Sequence, residues 1–459
     1  MDSIRYISKD DVTRRARDLL GHNLRELLND KDIDDIEKKI GHYNLRRKGY
    51  LGELVEKYFF QITPGNISEA DFREAKVELK TTPIKESAKR KFVAKERLVF
   101  SMINYENIIH ETWEDSSFLK KNSSVLILFY LWKEIETIID YKFKFMHFLD
   151  FKNSIPDEDL AQIKRDWEYI VNKIREGKAH LLSEGDTFYL GACTKSANSF
   201  IVRDQPLSKI KAKPRAFSLK QQYVNFLINN RLLSGQDSTN KLEKNDVNVP
   251  VEKLITDRLS KFQNKTDIDI QNDIDIRLNK KNKSYKRMLA LKMIGAKSNK
   301  IEELQKANIT LRVITLEHTG TLRESISFPS FDYTQIIDEA WGESGYERMS
   351  TFHEQLETNK FLFVVFQKEK NSNLIRFKKA QFWNFPMNDI LEAKRVWEYS
   401  VRCIGNGDYK DLPGIRFSNV AHVRPHGRNA NDKIKTPQGT YEVKRSFWLN
   451  AKYIERALK

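Results

Sequence analysis

The sequence predicts an α/β (α+β) protein made of two related domains in tandem, each with a mixed central sheet flanked by helices. Two observations lead to this prediction. Blocks of similar sequence recur in the same order in both halves of the chain. Within each half, segments with helical periodicity precede apolar runs of strand length, and a further helix follows them, which is the order expected of helices packed on a sheet.

The internal repeat is visible in pairs of matching segments. NYENIIHETWEDS at 104–116 matches DYTQIIDEAWGES at 332–344, and KRDWEYIV at 164–171 matches KRVWEYSV at 394–401. Between these blocks lie the apolar runs VLILFYLWKE and FLFVVFQKE, which both end in Lys-Glu. A displacement of roughly 230 positions is far too long for a solenoid unit, so we predict two homologous globular halves.

Each half is predicted to contain the same elements in the same order. The first half opens with amphipathic helices in VTRRARDLLGHNLRELL and YLGELVEKYFF. Strands follow at KVELKTTPI and VLILFYLW, and KRDWEY begins another helix. The polar stretch LSGQDSTNKLEKNDVNVP lacks apolar periodicity and ends in Pro, so we predict domains at 1–235 and 251–459 joined by a linker at 236–250.

Composition narrows the class of partner. The formal net charge of +16 favours a polyanionic partner such as nucleic acid over a merely soluble basic protein. The two cysteines, Cys193 and Cys403, are too few for a disulfide framework or a thiolate zinc site and indicate a reducing cytoplasm. The longest strongly apolar run, VLILFYLW, is too short to span a bilayer, so no membrane partner is expected.

The segment DFREAKVELKTTPI at 71–84 carries the candidate chemistry. On a strand, Glu78 and Lys80 share one face, and Asp71 lies just before them. Two neighbouring carboxylates suit Mg²⁺, which predicts a metal site at Asp71 and Glu78 with Lys80 orienting the attacking water for phosphodiester hydrolysis. The alternative is the solvated face of an edge strand, because short motifs of this kind often arise by chance.

The repeat provides an internal comparison for this segment. Aligning KVELKTT with NITLRVI at 308–314 places Thr310 opposite Glu78, Arg312 opposite Lys80 and Glu303 opposite Asp71. The strand pattern is retained while the set of two carboxylates and a lysine is lost. This difference favours a catalytic first half and a non-catalytic second half.

Several motifs resemble those of the MutH-like GATC endonucleases. The segments are, in chain order, GELVEKYF, DFREAKVELKTTP, TWEDSSFLKKNSSVLILF, TKSAN and KPRAFSLK. The resemblance covers most of the first half and, more weakly, the second. A chain with two such halves, the second without the acidic residues, is similar to the Sau-type type II restriction endonucleases, whereas the mismatch-repair nickase of the family has a single half.

The resemblance implies a tandem pair of restriction-endonuclease-like (MutH-like) domains. The first would be catalytic and the second a pseudo-catalytic effector domain that binds DNA. Mg²⁺ would be held by Asp71 and Glu78. The catalytic residues implied by the family pattern are Asp71, Glu78, Lys80, Glu56 in GELVEKYF and Lys121 in FLKKNSSVL, with Lys120 left open as the alternative to Lys121. Leu291 in MLALKMI stands opposite Glu56.

The resemblance also implies DNA-binding residues near the end of each half. These are Lys195, Arg215 and Ser218 in the first half and Arg424, Arg428 and Tyr441 in the second. Arg424 and Arg428 suit bidentate contacts to guanine, and contacts to phosphates are the alternative. Ser218 stands where the mismatch-repair enzyme has an aromatic residue that senses adenine methylation, and the second half retains Tyr441 there. The smaller Ser218 would leave room for an N6-methyl group, so cleavage is predicted to tolerate N6-methyladenine.

The function predicted from the sequence is a Mg²⁺-dependent type II restriction endonuclease that cuts double-stranded DNA at GATC. A strand-nicking DNA repair endonuclease of the same fold and a non-catalytic DNA-binding protein are the alternatives. A DNA methyltransferase encoded separately is the expected companion, and dimerisation on DNA is left open.

Overall fold

In the computed structural model, the residues described are 5–43, 49–64, 69–87, 91–134, 137–196, 200–229, 241–244, 246, 248–298, 301–342 and 349–459. The chain forms two compact units. The first unit comprises Met1–His180 and Thr187–Asp237, and the second comprises Leu181–Asp186 and Ser238–Lys459. Residues 236–240, 245 and 247 of the predicted linker lie outside the described residues. The different roles assigned to the two halves stay predictions.

The first unit opens with helices and continues into strands. Its helices are α1 (Lys9–Arg17), α2 (Leu24–Leu27), α3 (Asp30–Tyr43), α4 (Tyr50–Leu54), α5 (Tyr105–Ile108), α6 (Ser117–Asn122), α7 (Asp157–Arg175) and α8 (Gln221–Leu227), with a π-helix at Val55–Phe59. Its strands are β1 (Glu78–Glu86), β2 (Phe92–Ala94), β3 (Leu98–Met102), β4 (Ser124–Leu131), β5 (Phe143–Asp150), β6 (Leu190–Thr194), β7 (Arg203–Gln205), β8 (Ser208–Ala212) and β9 (Arg215–Leu219). Short 3₁₀ turns lie at Ile138–Asp140 in this unit and at Ala179–Leu181 at its boundary, while the 3₁₀ turn Glu184–Asp186 belongs to the second unit.

A mixed sheet with the order β2-β1-β4-β5 lies at the centre of the first unit. β1 and β4 are parallel, and the outer pairs are antiparallel. The first six residues of β4 are all buried, as expected of a parallel strand covered on both faces. An antiparallel sheet, β3-β9-β6, and the pair β7-β8 complete the strands of this unit.

The second unit has a similar succession of elements, without a counterpart of β2 among its described residues. Its helices are α9 (Val251–Ser260), α10 (Asp267–Asp273), α11 (Tyr285–Ile294), α12 (Glu302–Lys306), α13 (Tyr333–Ile336), α14 (Thr351–Thr358), α15 (Met387–Asn406) and α16 (Ala451–Ala457). Its strands are β10 (Ile309–Leu316), β11 (Ile326–Ser330), β12 (Lys360–Lys368), β13 (Ile375–Asn384), β14 (Ala421–Pro425), β15 (Lys433–Lys435), β16 (Tyr441–Val443) and β17 (Arg445–Leu449).

Strand pairing confirms the internal duplication. β10-β12-β13 repeats the parallel and antiparallel pairs of β1-β4-β5, and β11-β17-β14 repeats β3-β9-β6. Glu78 lies opposite Val125, and Thr310 lies opposite Phe361. Val125 and Phe361 are the first residues of the matching apolar runs, so the register of the strands agrees with the alignment of Glu78 with Thr310.

The repeated sequence blocks build the same core contacts in both units. Trp113 packs against Trp167 with ring centroids 5.8 Å apart, and Trp341 packs against Trp397 at 5.5 Å. Each pair joins the Tyr-Ile-Ile-Trp block to the helix that carries Trp-Glu-Tyr. The matching sequences are therefore the parts that hold helices α7 and α15 in place.

A buried carboxylate ties α7 to the start of β6 in the first unit. Asp166 accepts hydrogen bonds from the backbone N–H groups of Phe188, Tyr189 and Leu190 at 3.1, 2.6 and 3.0 Å. The matching residue in KRVWEYSV is Val396, so this link belongs to the first unit.

Within the residues that the structure describes, none of the helices combines the length and apolar character needed to cross a membrane.

We expect Asp166→Ala to destabilise the first unit by about 3 kcal/mol or more, because three buried N–H groups lose their acceptor. Urea unfolding should report the loss, and hydrogen exchange should show faster exchange of the Tyr189 and Leu190 amides. Asp157→Ala, at an exposed position on the same helix, is the matched control. Unchanged protection of both amides would contradict the assignment.

Candidate active site

The parallel pairing of β1 with β4 positions the candidate catalytic residues. Glu78 and Lys80 lie two residues apart on β1, so their side chains leave the same face. Glu78 is 1% exposed, whereas the Lys80 side chain is 22% exposed. A carboxylate is thus buried at the start of the central strand with a more exposed cation beside it, which argues against the solvated edge strand.

Two lysines converge on the Glu78 carboxylate. Lys80 Nζ donates a hydrogen bond to Glu78 Oε1, and Lys121 Nζ lies 3.7 Å from the same oxygen. Lys121 comes from α6, immediately before β4, whereas Lys120 on the same helix is exposed. The geometry therefore favours Lys121 over Lys120 as the second lysine of the site.

Asp71 is brought to β1 by a tight reversal of the chain. Phe72 and Val77 exchange backbone hydrogen bonds of 2.9 and 3.2 Å, and Lys76 adopts a φ of 55°. Asp71 Oδ2 then accepts a hydrogen bond of 2.8 Å from the N–H of Leu79. This turn explains the spacing between the two acids, because it returns Asp71 alongside the strand that carries Glu78.

Glu56 completes the group of acids around β1. It lies in the π-helix Val55–Phe59 that continues α4, and π-helical turns are frequent at functional sites. Burial, followed by the nearby Asp71 carboxylate, raises the pKa of Glu56 to about 7. Burial also raises the pKa of Glu78, and the Lys80 charge opposes that rise. Glu56 can therefore gain or lose a proton near neutral pH.

The donor set fits a hard divalent cation. Glu78 Oε2 is buried and has no hydrogen-bond partner among the described residues, so this oxygen can accept a ligand. Carboxylate oxygens are ligands that Mg²⁺ prefers, with waters and substrate phosphate oxygens filling its other positions. In the part of the chain that the structure describes, no group of three or more His, Cys, Asp or Glu residues is placed so that it could hold a metal ion, so water and substrate oxygens would have to supply most of the ligands.

The second unit lacks this constellation. Thr310 and Arg312 occupy the β10 positions that correspond to Glu78 and Lys80. Glu303 is buried on α12, and both of its oxygens accept from the N–H of Leu242 at 3.1 and 3.2 Å. Leu291 is a buried core residue of α11. Glu303, the one carboxylate that the alignment leaves in the second unit, is thus already hydrogen-bonded to the backbone.

Four of the predicted DNA-binding residues are exposed. Lys195 follows β6, while Arg424 and Arg428 lie at the end of β14 and just beyond it. Tyr441 is 62% exposed on β16. The Arg424 guanidinium lies 4.7 Å from the centroid of the Trp448 ring. These side chains are accessible to a ligand, and their contacts to DNA stay predictions.

Arg215 and Ser218 lie inside the first unit instead. Arg215 is 1% exposed, and its Nη1 donates to the carbonyl oxygen of Ala192 at 2.6 Å. Ser218 is fully buried on β9. The structure therefore contradicts direct contacts between these side chains and DNA, because neither reaches the surface. The predicted tolerance of N6-methyladenine depended on Ser218 and loses its basis.

The alignment of Ser218 with Tyr441 is also wrong. Ser218 on β9 lies opposite Val99 of β3, and Trp448 on β17 lies opposite Ser327 of β11. Trp448 is therefore the counterpart of Ser218, while Tyr441 belongs to the separate pair β15-β16. The sequence RSFWL, which matches RAFSL, was the signal that could have identified Trp448.

Comparisons with known proteins agree with this fold. Residues 60–166 match the family model of the DNA mismatch repair enzyme MutH. The DNA mismatch repair protein MutH of Vibrio vulnificus (strain YJ016) is 26% identical over 228 residues, which cover 48% of this chain and 92% of that protein. The corresponding protein of Pectobacterium atrosepticum is 29% identical over 229 residues, covering 46% and 87%. The first unit is thus of the MutH-like nuclease class.

A longer match covers both units. The type II restriction enzyme Sau3AI of Staphylococcus aureus is 31% identical over 508 residues, which cover 99% of each chain. The chain belongs to the MutH-like endonuclease family, and its similarity to Sau3AI extends over both units.

The raised pKa of Glu56 predicts how stability depends on pH when no metal is bound. A carboxyl with a higher pKa in the folded state than in the unfolded state opposes folding once it ionises, so its contribution falls as pH rises from about 4.3 to 7. We expect Glu56→Gln to stabilise the EDTA-treated protein by about 1–2 kcal/mol at pH 8, after allowance for solvent screening, and by much less at pH 4.5.

Urea unfolding at both pH values measures this difference, with Glu74→Gln at an exposed position as the control. An equal effect of Glu56→Gln at pH 4.5 and pH 8 would show that ionisation of Glu56 is not the cause.

Proposed function

We propose that this chain is a type II restriction endonuclease that hydrolyses double-stranded DNA at GATC with Mg²⁺. Catalysis takes place in the first unit, and the second unit binds DNA without cutting it. The observation that carries the proposal is the convergence of Glu78, Lys80 and Lys121 on β1 beside Asp71. The relationship to Sau3AI along both units supports restriction over repair.

Each residue of the site has a distinct task in this proposal. Asp71 and Glu78 would hold the metal ion. When bound, Mg²⁺ would supply positive charge to the phosphoryl oxygen and activate water for the attack. Lys80 orients the attacking water, and Lys121 offsets negative charge that develops on the phosphoryl group. Glu56, with a pKa of about 7, is suited to accept a proton at neutral pH.

The second unit is proposed to recognise DNA through its exposed basic loop. Arg424 and Arg428 have the guanidinium geometry for bidentate contacts to guanine O6 and N7. Arg312 is permanently protonated and cannot accept a proton from water, so cleavage by this unit is not expected. DNA bound to the second unit assists cleavage by the first unit only if the cutting-competent arrangement of the protein binds DNA more tightly than the inactive arrangement does.

A strand-nicking repair endonuclease of the same fold is the second candidate, since the MutH proteins match the first unit. Digestion of unmodified plasmid with Mg²⁺ separates the two functions. Linear products support restriction, open circles support nicking, and intact plasmid supports a DNA-binding protein without activity. Mapping the ends on a sequenced plasmid tests whether the site is GATC.

Glu78→Ala and Lys80→Ala should each slow cleavage by about 10²-fold or more, because each removes charge stabilisation at the phosphoryl group. DNA affinity in EDTA should change little, since the basic surface supplies most of it. Single-turnover cleavage and gel-shift assays measure the two effects. Thr310→Ala alters the matching strand position in the second unit and is the control.

The effector role predicts faster cutting of DNA with two GATC sites than of DNA with one. The full chain carrying both Arg424→Ala and Arg428→Ala should lose this advantage. A double variant of Lys410→Ala and Arg416→Ala removes the same charge from exposed positions of the same unit and should retain it. If the first double variant keeps the two-site advantage, the loop is not the effector contact.

A further inference from the structure

Two arginines of the second unit occupy the region that corresponds to the active site of the first. Arg312 stands on β10 at the position of Lys80. Arg287 is the third residue of α11, and its counterpart is Gly52, the third residue of α4. Compared with the first unit, the second unit therefore has arginines in place of a lysine and a glycine. It also has Thr310 in place of Glu78.

Both guanidinium groups are anchored around β10. Arg287 Nη1 donates a hydrogen bond of 3.0 Å to the carbonyl oxygen of Leu311, the residue before Arg312. Arg312 Nη2 donates to the carbonyl oxygen of Ser327 at 3.2 Å, while its Nε is buried without a partner. Each guanidinium carries five N–H donors, so donors are left for a ligand.

The two charges are not neutralised by the protein around them. Among the described residues, the side chains of Arg287 and Arg312 are hydrogen-bonded to the carbonyl oxygens of Leu311 and Ser327, and neither is paired with a carboxylate. Burial and the nearby Arg287 charge lower the pKa of Arg312. Arg312 is partly buried, whereas Arg287 is exposed. A partly buried cation beside a second cation is unfavourable without a compensating anion.

We propose that Arg287 and Arg312 form a metal-independent binding site for a backbone phosphate of DNA in the second unit. Guanidinium groups match phosphate oxygens bidentately and keep their charge at all relevant pH values. The phosphate is held where the first unit acts on one, but with guanidinium charge in place of a metal ion. The inference deepens the proposed effector role of the second unit and rests on it.

The site predicts that part of the DNA affinity survives chelation of divalent metal and requires both arginines. The test uses the full chain with Glu78→Ala to prevent cleavage, a fluorescent duplex with one GATC site, and EDTA throughout. Adding Arg287→Gly and Arg312→Lys restores the residues of the first unit at both positions and avoids an unfilled space on β10. Thermal unfolding checks that the variant folds.

We expect the substituted protein to bind the duplex about tenfold more weakly, because hydrogen bonds to a charged phosphate are lost. The slope of log affinity against log salt should fall by about 0.9, which corresponds to one phosphate. The control, Arg277→Ala, removes one exposed cation of the same unit, which is the same net change in charge, and should weaken binding less. Wild-type affinity and slope in the Arg287→Gly, Arg312→Lys protein would overturn the inference.

Inorganic phosphate distinguishes the source of the ligand. One outcome is that free phosphate stabilises the protein only when both arginines are present, while the Arg287→Gly, Arg312→Lys protein binds the duplex as tightly as before. That result would overturn the DNA site and indicate a site for the free anion. The Arg424→Ala, Arg428→Ala variant separates this inference from the proposed function. If both sets of substitutions leave duplex affinity unchanged, the second unit does not bind this DNA and the effector role fails as well.

Discussion

The parallel register between β1 and β4 is the constraint on which the active site depends. It places Glu78 opposite Val125 at the start of both strands, so that Lys121 at the end of α6 reaches the same carboxylate as Lys80. A slip of one residue would move every side chain of β1 to the other face. Because β4 is buried, such a slip would also expose apolar residues, and the core therefore protects the geometry of the site.

The same scaffold accepts different chemistry because its packing contacts lie elsewhere. The tryptophan pairs Trp113–Trp167 and Trp341–Trp397 are maintained in both units. Lys76 and Asn308, just before β1 and β10, even share positive φ values of 55° and 54°. In contrast, Glu78 has become Thr310 without any change in strand pairing. Residues that set the fold and residues that set the chemistry are thus separable in this duplication.

The sequence predicted the duplicated fold and the grouping of Asp71, Glu78 and Lys80, because strand periodicity and the aligned apolar runs determine register. It could not decide between Lys120 and Lys121, since neighbouring helix positions differ only in the direction of the side chain. Arg215 was misjudged because charge alone does not reveal that a guanidinium bonds to a buried carbonyl oxygen. The short pair β15-β16 led to the wrong counterpart for Ser218. Arg287 was missed because its counterpart is a glycine.

The charge balance of the two units is the physical basis of the phosphate site proposed for the second unit. In the first unit, Lys80 is compensated by Glu78, so the site is complete before DNA arrives. In the second unit, Thr310 replaces that carboxylate, so Arg312 has no acidic neighbour on the strand. Arg287 adds a further positive charge nearby. An apolar side chain in place of the partly buried Arg312 would avoid the desolvation of a cation, whereas Arg287 is exposed. In the proposed effector role the compensating anion comes from outside the chain, and in an enzyme that acts on DNA the nearest such anion is the backbone phosphate.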